Sequence, residues 1–371
     1  MNTRVLHAFS LPNGRGGRYD KFTPVNIRQI IGKLIAFVRP YRALVVGALL
    51  PFLCAAIAGS AGMAAGGYQL IGKITPRDRE LPPRVLPVVL LEGTKIPFAA
   101  HTRADVSGNF VFKNLQPDMF TLIVYIPNAG EYKKTVEVSP GLADSKKRIF
   151  VDVVFQPNLA SKAHMEASLA MLSVPEKAWK EYEKASKKLG NRDAEGAIAH
   201  LKKTVAIAPQ FVEAWNTLGR LAYKSGEFPL AEYYFREALK RDPDYYPSVV
   251  NLGGALLTQG KIKDSLLFNI AAVQARPDDA LAHSQLGQNY YYLERFPEAE
   301  KHLKMATSLD PGHFSYPQLP LAEIYLLRND FTSAAREIEQ FLKLHPDAEQ
   351  STVIKKRIER IRSALNSEKP R

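Results

Sequence analysis

From residue 176 onward apolar side chains recur at helical spacing, and the whole pattern repeats every 34 residues. Pro209, Pro243, Pro277 and Pro311 each close one copy. Within a copy Trp215, Leu218 and Ala222 share one helical face, and Ala231, Phe235 and Ala238 share another, which predicts a helical hairpin. Gly219, Ala231 and Ala238 are small enough for two backbones to approach closely, with Trp215 and Phe235 filling the space between them. Gly226 supplies the turn, and Pro243, which cannot continue a helix, sets the boundary with the next hairpin. One hairpin cannot bury its apolar face alone, so the copies are expected to stack into a solenoid with a concave surface.

The order Trp215, Leu218-Gly219, Gly226, Ala231, Phe235, Ala238, Pro243 resembles the tetratricopeptide repeat. Further copies read Leu252-Gly253, Gly260, Ala272, Pro277 and then Leu286-Gly287, Tyr290, Ala299, Leu303, Ala306, Pro311. A degenerate first hairpin starts at Glu176, with Trp179 on its first helix and Ala197 and Leu201 on its second. Gly190 stands seven residues before Ala197, whereas Gly226 stands five before Ala231, which predicts a turn two residues longer. A fifth hairpin carries Leu321, Tyr325, Ala334, Ile338 and Pro346, with Pro317 and Pro320 disturbing the start of its first helix. Five hairpins are thus expected over residues 176–346, followed over 347–371 by a capping helix and tail. That helix, at 351–365, sets Val353, Ile354, Ile358, Ile361 and Leu365 between basic residues, and binding to a membrane surface is its alternative role.

Over residues 68–155 the apolar period falls to two. Segments 68–74, 85–91, 95–102, 110–112, 120–125, 135–138 and 149–155 read as seven short strands, a density that predicts a β-sandwich. Gly72, Thr102, Asp105, Gly108, Phe110, Phe112, Leu115, Pro117, Phe120 and Leu122 give this segment a resemblance to the carboxypeptidase regulatory-like, or transthyretin-like, domain. Asn109, and Asp118 where that family often has glycine, depart from its pattern. The resemblance implies a non-enzymatic accessory domain, either a spacer or a binding face for protein or glycan. Residues 156–175 form a linker without clear period, with a short helix expected at 163–172.

The net charge of +13 is uneven: residues 1–42 hold eight Lys or Arg and one acid, Asp20. A nucleic-acid binder would concentrate cations on its folded part. Here they precede residues 43–67, which contain no charged side chain and are long enough to cross a bilayer. This predicts a basic cytoplasmic leader over 1–42 and a cleaved signal peptide or retained transmembrane anchor over 43–67, with the folded parts delivered to the periplasmic side of the envelope. The small-residue run that begins at Ala55 favours cleavage, and the length of the leader favours retention. The single cysteine, Cys54, lies in that apolar run and excludes an intrachain disulfide or a cysteine metal site. The fold class is therefore multidomain: a signal or anchor helix, an all-β sandwich, then an all-α superhelix.

The eight histidines form no metal-binding spacing, and neither a nucleophile elbow nor a phosphate-binding loop is present, so no catalytic residue, cofactor or metal is expected. The remaining candidate site is the concave groove. Mapping the resemblance implies Asn216, Arg220, Tyr223, Lys224, Asn251, Ser284, Gln288, Tyr291 and Tyr292 as partner-contacting positions. Tyr and Arg anchor interfaces well because each joins a large contact area to a polar tip. Some co-chaperones of the family clamp a partner's terminal carboxylate with Lys and Asn, but Pro247 stands where a clamp lysine would be needed. The expected function is an exported scaffold that docks a protein or peptide in the groove, with no nucleic acid and with membrane contact through 43–67 if that segment is retained. The alternative is glycan or cell-wall binding through the sandwich.

Overall fold

The computed structural model describes residues 67–76, 86–126, 130–155 and 174–348. The predicted signal or anchor, the short helix at 163–172 and the capping helix at 351–365 lie outside these residues. No helix among the described residues is long and apolar enough to cross a membrane.

Seven strands come first: β1 (Tyr68–Pro76), β2 (Val88–Gly93), β3 (Ala99–Arg103), β4 (Asn109–Leu115), β5 (Asp118–Ile126), β6 (Gly130–Val138) and β7 (Arg148–Phe155). They form two sheets, ordered β4-β1-β7 and β3-β2-β5-β6. All pairings are antiparallel except β1 with β7, which run parallel with Leu70 opposite Ile149 and Gly72 opposite Val151. The period-two pattern turns one side of each strand inward, and Leu70, Ile74, Leu91, Phe120, Leu122 and Val153 are fully buried between the sheets. Each such side chain contributes roughly 1.5–3 kcal/mol by leaving water. Gly72 is required by close approach, because a Cβ there would lie 2.0 Å from the Phe110 ring. The turn before β4 also follows the sequence reading: Asp105 accepts from the backbone of Ser107 and Asn109, and Gly108 takes φ +81°. Asn109 adds a side-chain bond to Asp105 at 2.9 Å, which accounts for one departure from the resembling pattern.

Ten helices follow among the described residues: α1 (Glu176–Gly190), α2 (Ala194–Ile207), α3 (Val212–Lys224), α4 (Phe228–Arg241), α5 (Tyr246–Thr258), α6 (Ile262–Ala275), α7 (Ala280–Tyr292), α8 (Phe296–Leu309), α9 (Gln318–Leu327) and α10 (Phe331–Leu344). They pair as five hairpins. At the close approach of α3 and α4, a Cβ on Gly219 would come within 2.4 Å of Phe235. Gly253 stands in the same way against Asn269, and Gly287 against Leu303. Phe235 closes the approach of α3 and α4, and Trp215 packs between the same two helices against Tyr234 of α4, ring centroids 6.0 Å apart. Trp215 is half-buried at the entrance of α3, donates Nε1–H to the Pro209 carbonyl at 2.8 Å and carries the Arg241 guanidinium over its ring.

The longer first turn is not found. Every hairpin turn is three residues long, and its middle residue is left-handed: Arg192 (φ 61°), Gly226 (79°), Gly260 (73°), Glu294 (59°) and Asn329 (60°). Gly190 is the last residue of α1, and Arg192 occupies the position that Gly226 holds in the next hairpin. Pro317 does shorten α9 to 10 residues, against 13 in α3, α5 and α7.

Candidate functional site

The inner face of the array is built from the first helix of each hairpin. Positions 34 residues apart on these helices, Asn216, Val250, Ser284 and Gln318, are all buried. Much of the predicted groove is spent on binding neighbouring repeats to one another. Asn216 Oδ1 accepts from Ser248 at 3.1 Å and from Asn251 at 3.0 Å. Ser284 receives the hydroxyl of Ser315 at 2.6 Å and, more weakly, the Gln288 amide at 3.4 Å. The Tyr291 hydroxyl donates to Glu323 at 2.6 Å, and Tyr223 bonds Thr258 at 2.9 Å. The Tyr292 hydroxyl is buried with no hydrogen-bond partner among the described residues, and burial raises its pKa.

Arg220 and Lys224 do something different: they hold the chain's own sandwich. One turn of α3 sets them on the same face. The Arg220 guanidinium forms two bonds to the Glu92 carboxylate, at 3.0 and 2.8 Å. Lys224 donates from Nζ to the carbonyls of Gly93 and Ile96, the latter at 3.2 Å. All three acceptors lie at the end of β2 and in the turn toward β3. Burial by itself would raise the Glu92 pKa, but the Arg220 charge and hydrogen bonds outweigh it and the carboxyl stays below its ordinary range. Burial and the neighbouring Arg220 charge lower the Lys224 amine to about 7.

The turn itself is shaped by Asp118. Its Oδ2 accepts from Ile96 N–H at 3.1 Å and its Oδ1 from Met119 N–H at 2.8 Å, so the Ile96 amide is occupied within the sandwich while the carbonyls face Lys224. Burial raises the pKa of this carboxyl. Asp118 is the second departure from the resembling pattern, and that departure was the one sequence signal pointing here.

The sandwich meets the array at further places that sequence reasoning did not find. Asp310 accepts from Thr135 N–H at 2.9 Å, and Asp347 accepts from Gly141 N–H at 2.7 Å. Glu131 pairs with Arg276 at 3.4 Å, Lys133 approaches Asp279 at 3.9 Å, and His345 Nδ1 lies 3.2 Å from Glu137. Met119 supplies an apolar contact, packing in the cluster of Tyr316, Leu321 and Phe341 and receiving the Tyr316 hydroxyl at its sulfur at 3.1 Å. The array thus holds the chain's own sandwich by charge pairing and by bonds to main-chain groups. No group of three or more His, Cys, Asp or Glu side chains suited to a metal ion occurs among the described residues.

The sequence model of the tetratricopeptide repeat matches residues 212–245 and 280–313. A BBSome complex member BBS4 homolog from Drosophila melanogaster is 24% identical over 129 residues, which is 35% of this chain and 26% of that protein. The chain therefore spans about a quarter of the length of the curated relative it matches. Among solved structures, MamA from Desulfovibrio magneticus is 22% identical, covering 48% of this chain and 99% of its own, with a TM-score of 0.43. YrrB, described as a repeat protein with an unusual peptide-binding site, is 20% identical over 54% of this chain and 98% of its own, with a TM-score of 0.41. PilW, a type IV pilus biogenesis factor, is 17% identical over 50% of this chain and 86% of its own, with a TM-score of 0.45. The chain carries tetratricopeptide repeats, and they follow a β-rich region of seven strands in two sheets.

Proposed function

We propose that this chain is a non-catalytic scaffold of the cell envelope that holds a segment of a protein partner on the inner face of its repeat array. One observation carries this reading: Arg220 and Lys224 grip a polypeptide turn there, through a two-bond ion pair and contacts to two main-chain carbonyls. Asn251 sits half-buried one repeat further along the same face, where its amide donates to Asn216 in the ladder that joins the repeats. The envelope location rests on the basic leader and the uncharged run at 43–67, and the sandwich acts as a non-enzymatic accessory domain of carboxypeptidase regulatory-like type.

Site-specific photo-cross-linking in the full chain tests the reading. A photoreactive residue at Asn251 is expected to yield an adduct with a second polypeptide, and one at Leu267, exposed on the outer helix α6, is expected to yield none. Adducts from Leu267 alone would move the binding surface to the outside of the array. Adducts from Phe150, exposed on the sandwich, with none from Asn251 would move it to the sandwich.

A further inference from the structure

The face that carries a free Arg and Lys in the sequence reading is closed in the structure by the chain's own β2–β3 turn. We infer that this turn is an internal stand-in for the partner, so that the array alternates between a form closed by its own sandwich and a form open to a second polypeptide presenting an acidic turn. The inference rests on the inner face being the partner site.

Three features carry it. First, sandwich and array each bury a separate apolar core, and among the described residues the apolar side chains packed across are Met119 against the Tyr316 cluster and Ala99 against the first hairpins. The other contacts across the boundary are charged or polar, with two cations lying over aromatic rings, Arg192 over Phe98 and Lys133 over Tyr246. Interfaces of that composition resemble transient complexes more than the inside of a domain. Second, what the array recognises in the turn is transferable chemistry: one carboxylate and two main-chain carbonyls three residues apart, with the Lys224 contacts drawing on no side chain of the turn. Any acidic turn of similar curvature offers the same groups. Third, the turn is held in shape from within the sandwich by Asp118, so it is preformed before docking, and little ordering cost falls on closure.

The latch is tested without any partner, by amide exchange in the purified full chain. The Thr135 and Gly141 amides donate to Asp310 and Asp347 of the array and so report docking. Glu92→Arg and Arg220→Glu are each expected to speed their exchange by at least about tenfold, and the double swap E92R/R220E to restore protection. Leu122 at the sandwich centre should exchange alike in all four proteins, which shows that the fold survives. A fluorescent cyclic peptide of residues 91–98 then serves as the acidic-turn probe. It should bind the Glu92→Arg chain at least about tenfold tighter than the unaltered chain, whose site is occupied. It should lose affinity when Arg220→Glu is added or when its own glutamate is replaced by glutamine. Unchanged exchange in the single variants, or equal peptide affinity for open and closed chains, overturns the inference and leaves the cross-linking result standing. Loss of the Asn251 adduct with the exchange pattern intact would instead remove the reading beneath it.

Discussion

Glu294 and Gly260 hold the same place in successive hairpin turns, with φ of 59° and 73°, and they set opposite expectations. A Cβ on Gly260 would meet nothing within 4 Å, so Gly260→Ala tests backbone conformation alone. It is expected to destabilise the array by about 1 kcal/mol, because a left-handed backbone disfavours every side chain. Glu294→Gly is expected to act in the other direction, by up to about 1 kcal/mol, and chemical denaturation of the two variants checks both signs. Gly226 shows this rule openly in the sequence. Arg192, Glu294 and Asn329 hide it, and for that reason the first turn reads as two residues too long when it is measured from Gly190. Asp118→Ala is a second test at this scale. It removes the acceptor of the Ile96 amide at a half-buried site, and a loss of about 1–3 kcal/mol is expected. The Thr135 and Gly141 amides should lose protection with it, since the turn that meets the array is no longer held.

At the scale of elements, the 34-residue repeat was legible because each hairpin must pack identical faces on its neighbours, and the strands were legible because each sheet has one wet and one dry side. What occupies the faces was less so. The position of Phe235 is taken by Asn269 one repeat later, where it joins Ser265 and Asn289 in a fully buried polar cluster between hairpins. A helical period cannot announce such a cluster.

The α7–α8 pair holds another. His283 donates from Nε2 to the Pro277 carbonyl at 2.9 Å, which leaves its Nδ1 to accept from His302 Nδ1–H at 3.0 Å when both rings are neutral. Burial lowers both pKa values, with the His283 charge adding to the effect on His302, which falls to about 4. The unfolded chain therefore takes up this proton first as pH drops. Stability from the neutral pair is complete above the ordinary value of 6.5 and is lost as pH falls toward about 4. His302→Phe is expected to flatten the fall in melting temperature between those limits, and an unchanged pH profile would show that the pair is not what titrates.

For the whole molecule, neither periodicity nor spacing could reveal that the sandwich sits on the array. Glu92 and Arg220 are 128 residues apart, and each looks like an ordinary surface charge until the fold brings them together. The repeat pattern by itself points to the groove residues as contacts for a partner. In the structure Arg220 and Lys224 serve the chain itself, and Asn216, Tyr223, Ser284 and Tyr291 tie repeats together. Docking of the sandwich is therefore the claim on which the rest depends. Zero-length carbodiimide cross-linking of the full chain followed by mass spectrometry tests it most directly, because the reagent joins only amines and carboxylates already in contact. Lys261 with Glu232, at 2.6 Å, provides the internal standard within the array. The account predicts a bond between Lys133 of the sandwich and Asp279 of the array. Cross-links confined to pairs such as Lys261 with Glu232, with none joining sandwich to array, would contradict it.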